Sequence, residues 1–115
     1  LRVTAALATA VTDERGRWLL GTQDDAFNER RITAIINGDR LNMVIDRTFA
    51  DADGKHWIVD YKTSSHEGAG VERFLDSERE RYQTQLARYA QALAHPQGSM
   101  LALYFPLLSG WREWK

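Results

Sequence analysis

Val44-Ile45-Asp46-Arg47-Thr48-Phe49-Ala50, then Asp51-Ala52-Asp53-Gly54, then Lys55-His56-Trp57-Ile58-Val59-Asp60-Tyr61-Lys62-Thr63 reads as two strands and the turn between them. Asp51 to Gly54 fits a type I turn whose final glycine takes the left-handed conformation and makes a bulge, the usual three-residue hairpin loop. If Asp51 and Lys55 close that loop, pairing runs outward with Thr48 opposite Ile58, Asp46 opposite Asp60 and Val44 opposite Lys62. Side chains alternate along a strand, so the two aspartates and the lysine are expected on one face. Carboxylates directly across a strand pair repel and cost stability. A hard divalent cation between them removes that cost.

The stretches on either side supply the rest of the fold. Arg31 to Ile35 is a strand, and Asn37-Gly38 is a hairpin signal that joins it to a second strand over Leu41 to Ala50. With the third strand, Lys55 to Thr63, this makes an antiparallel meander. Ser64 to Gly70 is a loop. Val71 to Ala94 is the longest helix, with Phe74, Leu75, Tyr82, Leu86, Tyr89, Ala90 and Leu93 on or near one face, and Pro96 stops it. Met100 to Leu107 is an apolar run of a length suited to a buried strand. Upstream, Val3, Leu7, Ala10 and Val11 mark a helix over Leu1 to Thr12, ended by Asp13-Glu14-Arg15-Gly16. Thr22 to Asn28 reads as a loop, and Trp111 to Lys115 as a trailing segment. The fold class is α/β, in the order helix, three strands, helix, strand.

Composition bounds the function. The 115 residues make one domain, with 43% hydrophobic and 27% charged residues, as in ordinary globular proteins. No apolar run approaches the ~20 residues that span a bilayer, and no signal-peptide pattern opens the chain. The absence of cysteine excludes disulfides, zinc–thiolate sites and iron–sulfur clusters. A net charge of −1 is unlike that of a free-standing DNA-gripping module, which is more often basic. If nucleic acid is the partner, another domain is expected to do most of the gripping.

Phosphodiester hydrolysis needs a bound metal, an activated water and charge compensation. Asp46 and Asp60 offer oxygen ligands for Mg²⁺, with the carbonyl of Tyr61 between them as a further candidate. The Lys62 ammonium can hold the attacking hydroxide and offset phosphate charge. A structural counter-ion role for Lys62 accounts for the trio almost as well electrostatically. Gln85 and Tyr89 lie one helical turn apart, and a glutamine on an apolar stripe needs a partner. Tyr82 can line the same groove. Glu78 to Arg81 reads as a solvated charge run, Arg47 as structural, and Trp57 with Phe49 as a core pair.

These motifs resemble the PD-(D/E)XK nuclease superfamily, with its restriction-endonuclease-like core. Ile45-Asp46-Arg47 and Ile58-Val59-Asp60-Tyr61-Lys62-Thr63 are similar to the "IDR … DYKT" spelling of RecB/AddA-type nuclease domains, and Tyr82 to Ala90 resembles their "Y..QL..YA" motif. The resemblance runs from about Ile32 to Phe105. It implies the nuclease domain of a bacterial, cytoplasmic helicase–nuclease with UvrD/Rep-like motor domains, acting as an exodeoxyribonuclease in double-strand-break repair and recombination. The site residues it implies are Asp46, Asp60, Lys62, Gln85 and Tyr89, with DNA contacts at Tyr82, Gln85 and Tyr89. The cofactor is Mg²⁺, replaceable by Mn²⁺, and ATP acts only through the motor. The partners are DNA, single-stranded as fed by the motor, and the helicase domains or a second subunit.

The resemblance also implies an upstream histidine ligand, which Leu1 to Thr12 lacks; His56, His66 and His95 are elsewhere. The chain, 1–115, is therefore expected to be a fragment of the longer protein, binding metal weakly and inactive alone. A non-catalytic module for DNA gripping or subunit docking is the alternative. A glycosidase built on Asp46 and Asp60 is disfavoured, because Lys62 would disturb its proton transfers.

Overall fold

The computed structural model describes residues 14–115, apart from Thr22, Ser65 and the side chain of Leu20. The helix expected over Leu1 to Thr12 lies outside these residues. The described elements are α1 (Glu14–Leu20), β1 (Asp24–Ile36), β2 (Asp39–Ala50), β3 (His56–Tyr61), α2 (Val71–Leu93), β4 (Met100–Phe105), a short 3-10 turn (Pro106–Leu108) and β5 (Gly110–Trp114). The five strands form one sheet in the order β1-β2-β3-β4-β5. All neighbours are antiparallel except β3 and β4, which α2 joins as a parallel crossover.

Both expected turns form. Asn37 and Gly38 have φ of 52° and 84°, as the tight β1–β2 hairpin needs. In the β2–β3 loop the Gly54 amide donates to the Asp51 carbonyl at 2.9 Å, and the Asp51 amide donates to the Lys55 carbonyl at 2.9 Å. The Asp51 carboxylate accepts from the Asp53 and Lys55 amides and from the Trp57 indole, which stiffens the loop further. Gly54 sits at φ 80°, with open space where a Cβ would be, so its requirement is purely one of backbone conformation. Gly54→Ala is expected to cost about 1 kcal/mol. Urea denaturation checks this; no loss would mean the loop shifts at no cost.

The loop sets the register as the sequence predicts: Thr48 faces Ile58 and Phe49 faces Trp57. Alternation along β3 and β4 then divides the core between the two sheet faces. Ile58, Leu101, Leu103 and Phe105 pack under Leu75, Leu86 and Tyr89 of α2. Phe49, Trp57, Val59, Ala102 and Tyr104 pack on the other face with Leu19 of α1 and with Trp18 and Trp111. Phe49 and Trp57 stack, with ring centroids 6.4 Å apart. β4 is buried on both faces, which is why its sequence is apolar without alternation.

Four expectations need correction. Glu14 to Gly16, read as the end of the upstream helix, are themselves helical and lie in α1, which carries Trp18 and Leu19 onto the sheet. β1 begins at Asp24 rather than Arg31, because the polar run up to Asn28 pairs with the end of β2, Phe27 against Thr48 and Asn28 against Arg47. The final residues form β5 on the edge of β4, where Trp111 joins the aromatic core and Arg112 bridges to Glu72 and Asp76 of α2 at 2.9 and 2.8 Å. Glu78 is not solvated. It is buried on the sheet side of α2, with Arg81 3.7 Å away.

Arg47 is buried as a structural group, donating to the Asn28 side chain at 2.8 Å and to the Gly21 carbonyl at 3.3 Å. No helix among the described residues is long and apolar enough to cross a membrane.

Candidate active site

The β2–β3 ladder stops one pair short of the expected contact. Its last registered pair is Arg47 with Val59; β3 pairs with β4 along Trp57 to Tyr61, so Asp60 and Tyr61 keep only their β4 partners, Leu103 and Tyr104. The Lys62 amide continues the β3–β4 pairing by donating to the Tyr104 carbonyl at 2.9 Å. Where β2 loses its backbone partner, the Asp46 side chain takes over: its Oδ2 accepts the Tyr61 amide at 2.7 Å. Asp46 is thus held at the point where two strands part, which the pairing rule alone did not reveal.

Asp60 follows Ile58 by two residues and so faces α2. It is 6% exposed. The Lys62 ammonium lies 2.8 Å from its Oδ2. The contact is an ion pair lacking hydrogen-bond alignment, so Oδ2 is buried without a hydrogen-bond donor. Tyr82 of α2 covers the lysine, with the ammonium 3.6 Å from its ring centroid. One turn further on, the Gln85 amide donates to the Tyr89 hydroxyl at 2.6 Å. Burial raises the Tyr89 pKa, and the Asp60 and Asp46 charges raise it further. The residues singled out from sequence on three separate elements therefore converge. Tyr61 contributes differently: its ring points to the opposite face against Tyr104, and its buried hydroxyl has no partner among the described residues.

The electrostatics follow from this geometry. Burial, reinforced by a hydrogen bond to the Asp60 carboxyl, pushes Asp46 up to about 7. The Tyr61 amide opposes that rise and does not cancel it. Two carboxyls that cannot both be charged at low cost, one of them with an oxygen lacking a donor, fit a hard divalent cation as shared ligand. Among the described residues, no cluster of three histidine, cysteine, aspartate or glutamate side chains exists, so a further ligand there would come from another oxygen, such as a backbone carbonyl, or from water. Asp46 also lines a hollow of about 300 Å³ with Tyr61, Asn28 and Glu29, which leaves it reachable from solvent. Glu29 holds φ 49° in mid-strand at this rim, a conformation that nothing in its sequence signals.

A family model, that of the PD-(D/E)XK nuclease superfamily, matches residues 3–112. The chain belongs to the PD-(D/E)XK nuclease superfamily. The match takes in every strand of the described sheet except the last residues of β5. Membership implies a nuclease, and members generally use divalent metal ions. No curated relative matches the chain. The mixed sheet with α2 packed on it is consistent with a restriction-endonuclease-like PD-(D/E)XK core.

Proposed function

We propose that this domain hydrolyses DNA phosphodiester bonds with Mg²⁺, as the nuclease part of a RecB/AddA-type helicase–nuclease that trims DNA ends in repair and recombination. The observation that carries the catalytic reading is the juxtaposition of Asp46, Asp60 and Lys62, with the lysine held between a carboxylate and the Tyr82 ring.

Asp46 and Asp60 would hold the cation, with the Tyr61 carbonyl as a further ligand. Bound there, it supplies Lewis-acid polarisation of the phosphate and lowers the pKa of water. Lys62 offers fixed positive charge where negative charge develops on the phosphate oxygens. Tyr82 keeps its ammonium from swinging into solvent. Gln85 fixes the Tyr89 hydroxyl, leaving the phenol proton free to donate to a phosphate oxygen and position the strand. Hydrolysis adds water oxygen to phosphorus, breaks one P–O ester bond and returns a proton to the leaving oxygen.

The test is cleavage of an end-labelled oligonucleotide by the full-length protein. Cleavage that appears with Mg²⁺ or Mn²⁺ and disappears in EDTA is the expected result. Undiminished cleavage in EDTA would refute the metal assignment, and absence of cleavage with DNA bound would favour the gripping module.

A further inference from the structure

Beside the carboxylates, β2 and α2 enclose an open groove of about 290 Å³. Its walls include Asn42 and Val44 from β2 and Gln85, Arg88 and Tyr89 from α2, and no carboxylate lines it. The groove and the candidate active site share Tyr89, whose hydroxyl is near enough to Asp60 and Asp46 to feel their charge. Val44 precedes Asp46 by two residues, about 7 Å along a strand. The residue is 43% exposed, unusual for a large apolar residue here.

Arg88 is exposed and has no carboxylate partner among the described residues, although Arg112 has two, at 2.9 and 2.8 Å. It follows Gln85 by three positions, so the two side chains lie on neighbouring parts of the helix surface. The Asn42 side-chain carbonyl already accepts from the Thr33 hydroxyl at 2.8 Å, which leaves its amide group free to donate. The groove thus offers a cation, free amide donors and an apolar surface, and it excludes negative charge. That is the chemistry of a subsite for a nucleic-acid backbone, where phosphate pairs with arginine and sugar or base rests on apolar surface.

We infer that this groove holds the nucleotide next to the scissile phosphate, with Arg88 paired to its phosphate beside Val44. The inference rests on the nuclease reading for its location, and its test does not need cleavage. Binding of a fluorescein-labelled single-stranded oligonucleotide to the full-length protein is measured by anisotropy across a salt series, with Ca²⁺ replacing Mg²⁺. Arg88→Gln is expected to weaken binding several-fold and to reduce the salt slope by about 0.7, the value of one lost phosphate contact on a single strand. Arg88→Lys is expected to restore the slope, because a point charge suffices for counterion release.

The same series on duplex separates the substrate forms: a loss near 0.9, with none on single strands, would mean that the groove takes duplex. An unchanged slope and affinity in Arg88→Gln on both substrates overturns the inference. Cleavage assays in Mg²⁺ run alongside. Intact wild-type cleavage with an unchanged slope discards the groove alone, whereas the slope loss without any cleavage discards the nuclease reading and leaves the groove. Failure of the wild type to bind DNA discards both.

Discussion

Lys62→Ala in the full-length protein is expected to reduce DNA cleavage by at least about 100-fold in kcat, the scale seen when a preorganised charge-stabilising group is removed. KM, unwinding and ATP hydrolysis by any linked motor should change little. The ammonium lies 2.8 Å from Asp60 and 3.6 Å from the Tyr82 ring centroid, so it is held before substrate arrives. Deleting one partner of a largely buried ion pair also threatens folding. Lys62→Gln, which keeps a polar tip of similar reach, is therefore the companion variant, and circular dichroism checks both. Lost cleavage in a folded Lys62→Gln protein supports charge compensation at the phosphate. Cleavage at wild-type rate in that variant, accompanied only by lowered stability, would reduce Lys62 to a structural counter-ion. Asp60→Ala should match Lys62→Ala in cleavage, through loss of a metal ligand.

The second large effect concerns pH. Asp46 titrates near 3.8 when unperturbed and at about 7 in the fold, mainly because it is buried and then because Asp60 faces it. A carboxyl whose folded pKa is raised binds more protons in the native state, so stability falls as pH climbs from about 4 to about 7 and stays lowered above that. Asp46→Asn keeps an oxygen acceptor for the Tyr61 amide and removes the charge. In EDTA at pH 8 it is expected to stabilise the protein by on the order of 1–2 kcal/mol, the full shift being discounted for solvent screening. At pH 4 the gain should vanish. Mg²⁺ should reverse the order, by stabilising the wild type and leaving the variant almost unaffected. Chemical denaturation under these conditions decides the matter. Destabilisation by Asp46→Asn at both pH values would make Asp46 a structural partner of Tyr61 and Lys62.

The β2–β3 hairpin was readable because its determinants are local: the Asp51–Gly54 turn sets the register, and Thr48 opposite Ile58 follows from it. The approach of Gln85 and Tyr89 was readable because helical spacing alone puts them together. What escaped reading depends on partners distant in sequence. The polar start of β1 becomes strand only because the end of β2 extends far enough to pair with it. Trp111 to Trp114 becomes β5 because β4 presents an open edge, and Glu78 is buried because helix rotation is decided by packing over the whole of α2. The displacement of Asp46 out of the ladder is of the same kind. It follows from β2 and β3 parting beyond Arg47 and Val59 while β3 stays paired with β4, and no local pattern in β2 announces it.

That reliance on β4 alone beyond the end of the β2–β3 ladder has a consequence for the order of events during synthesis. Asp60 and Lys62 are fixed by backbone contacts with Leu103 and Tyr104, so a nascent chain that has emerged only through β3 holds both charged groups on an unanchored strand end. The hairpin can close early, since its contacts are short in sequence, whereas the seam waits for α2 and β4 to complete a long loop. Among the described residues, the backbone of Asp60 and Lys62 therefore gains its only strand partner from β4, and assembly of the acidic pair is expected to wait until β4 docks.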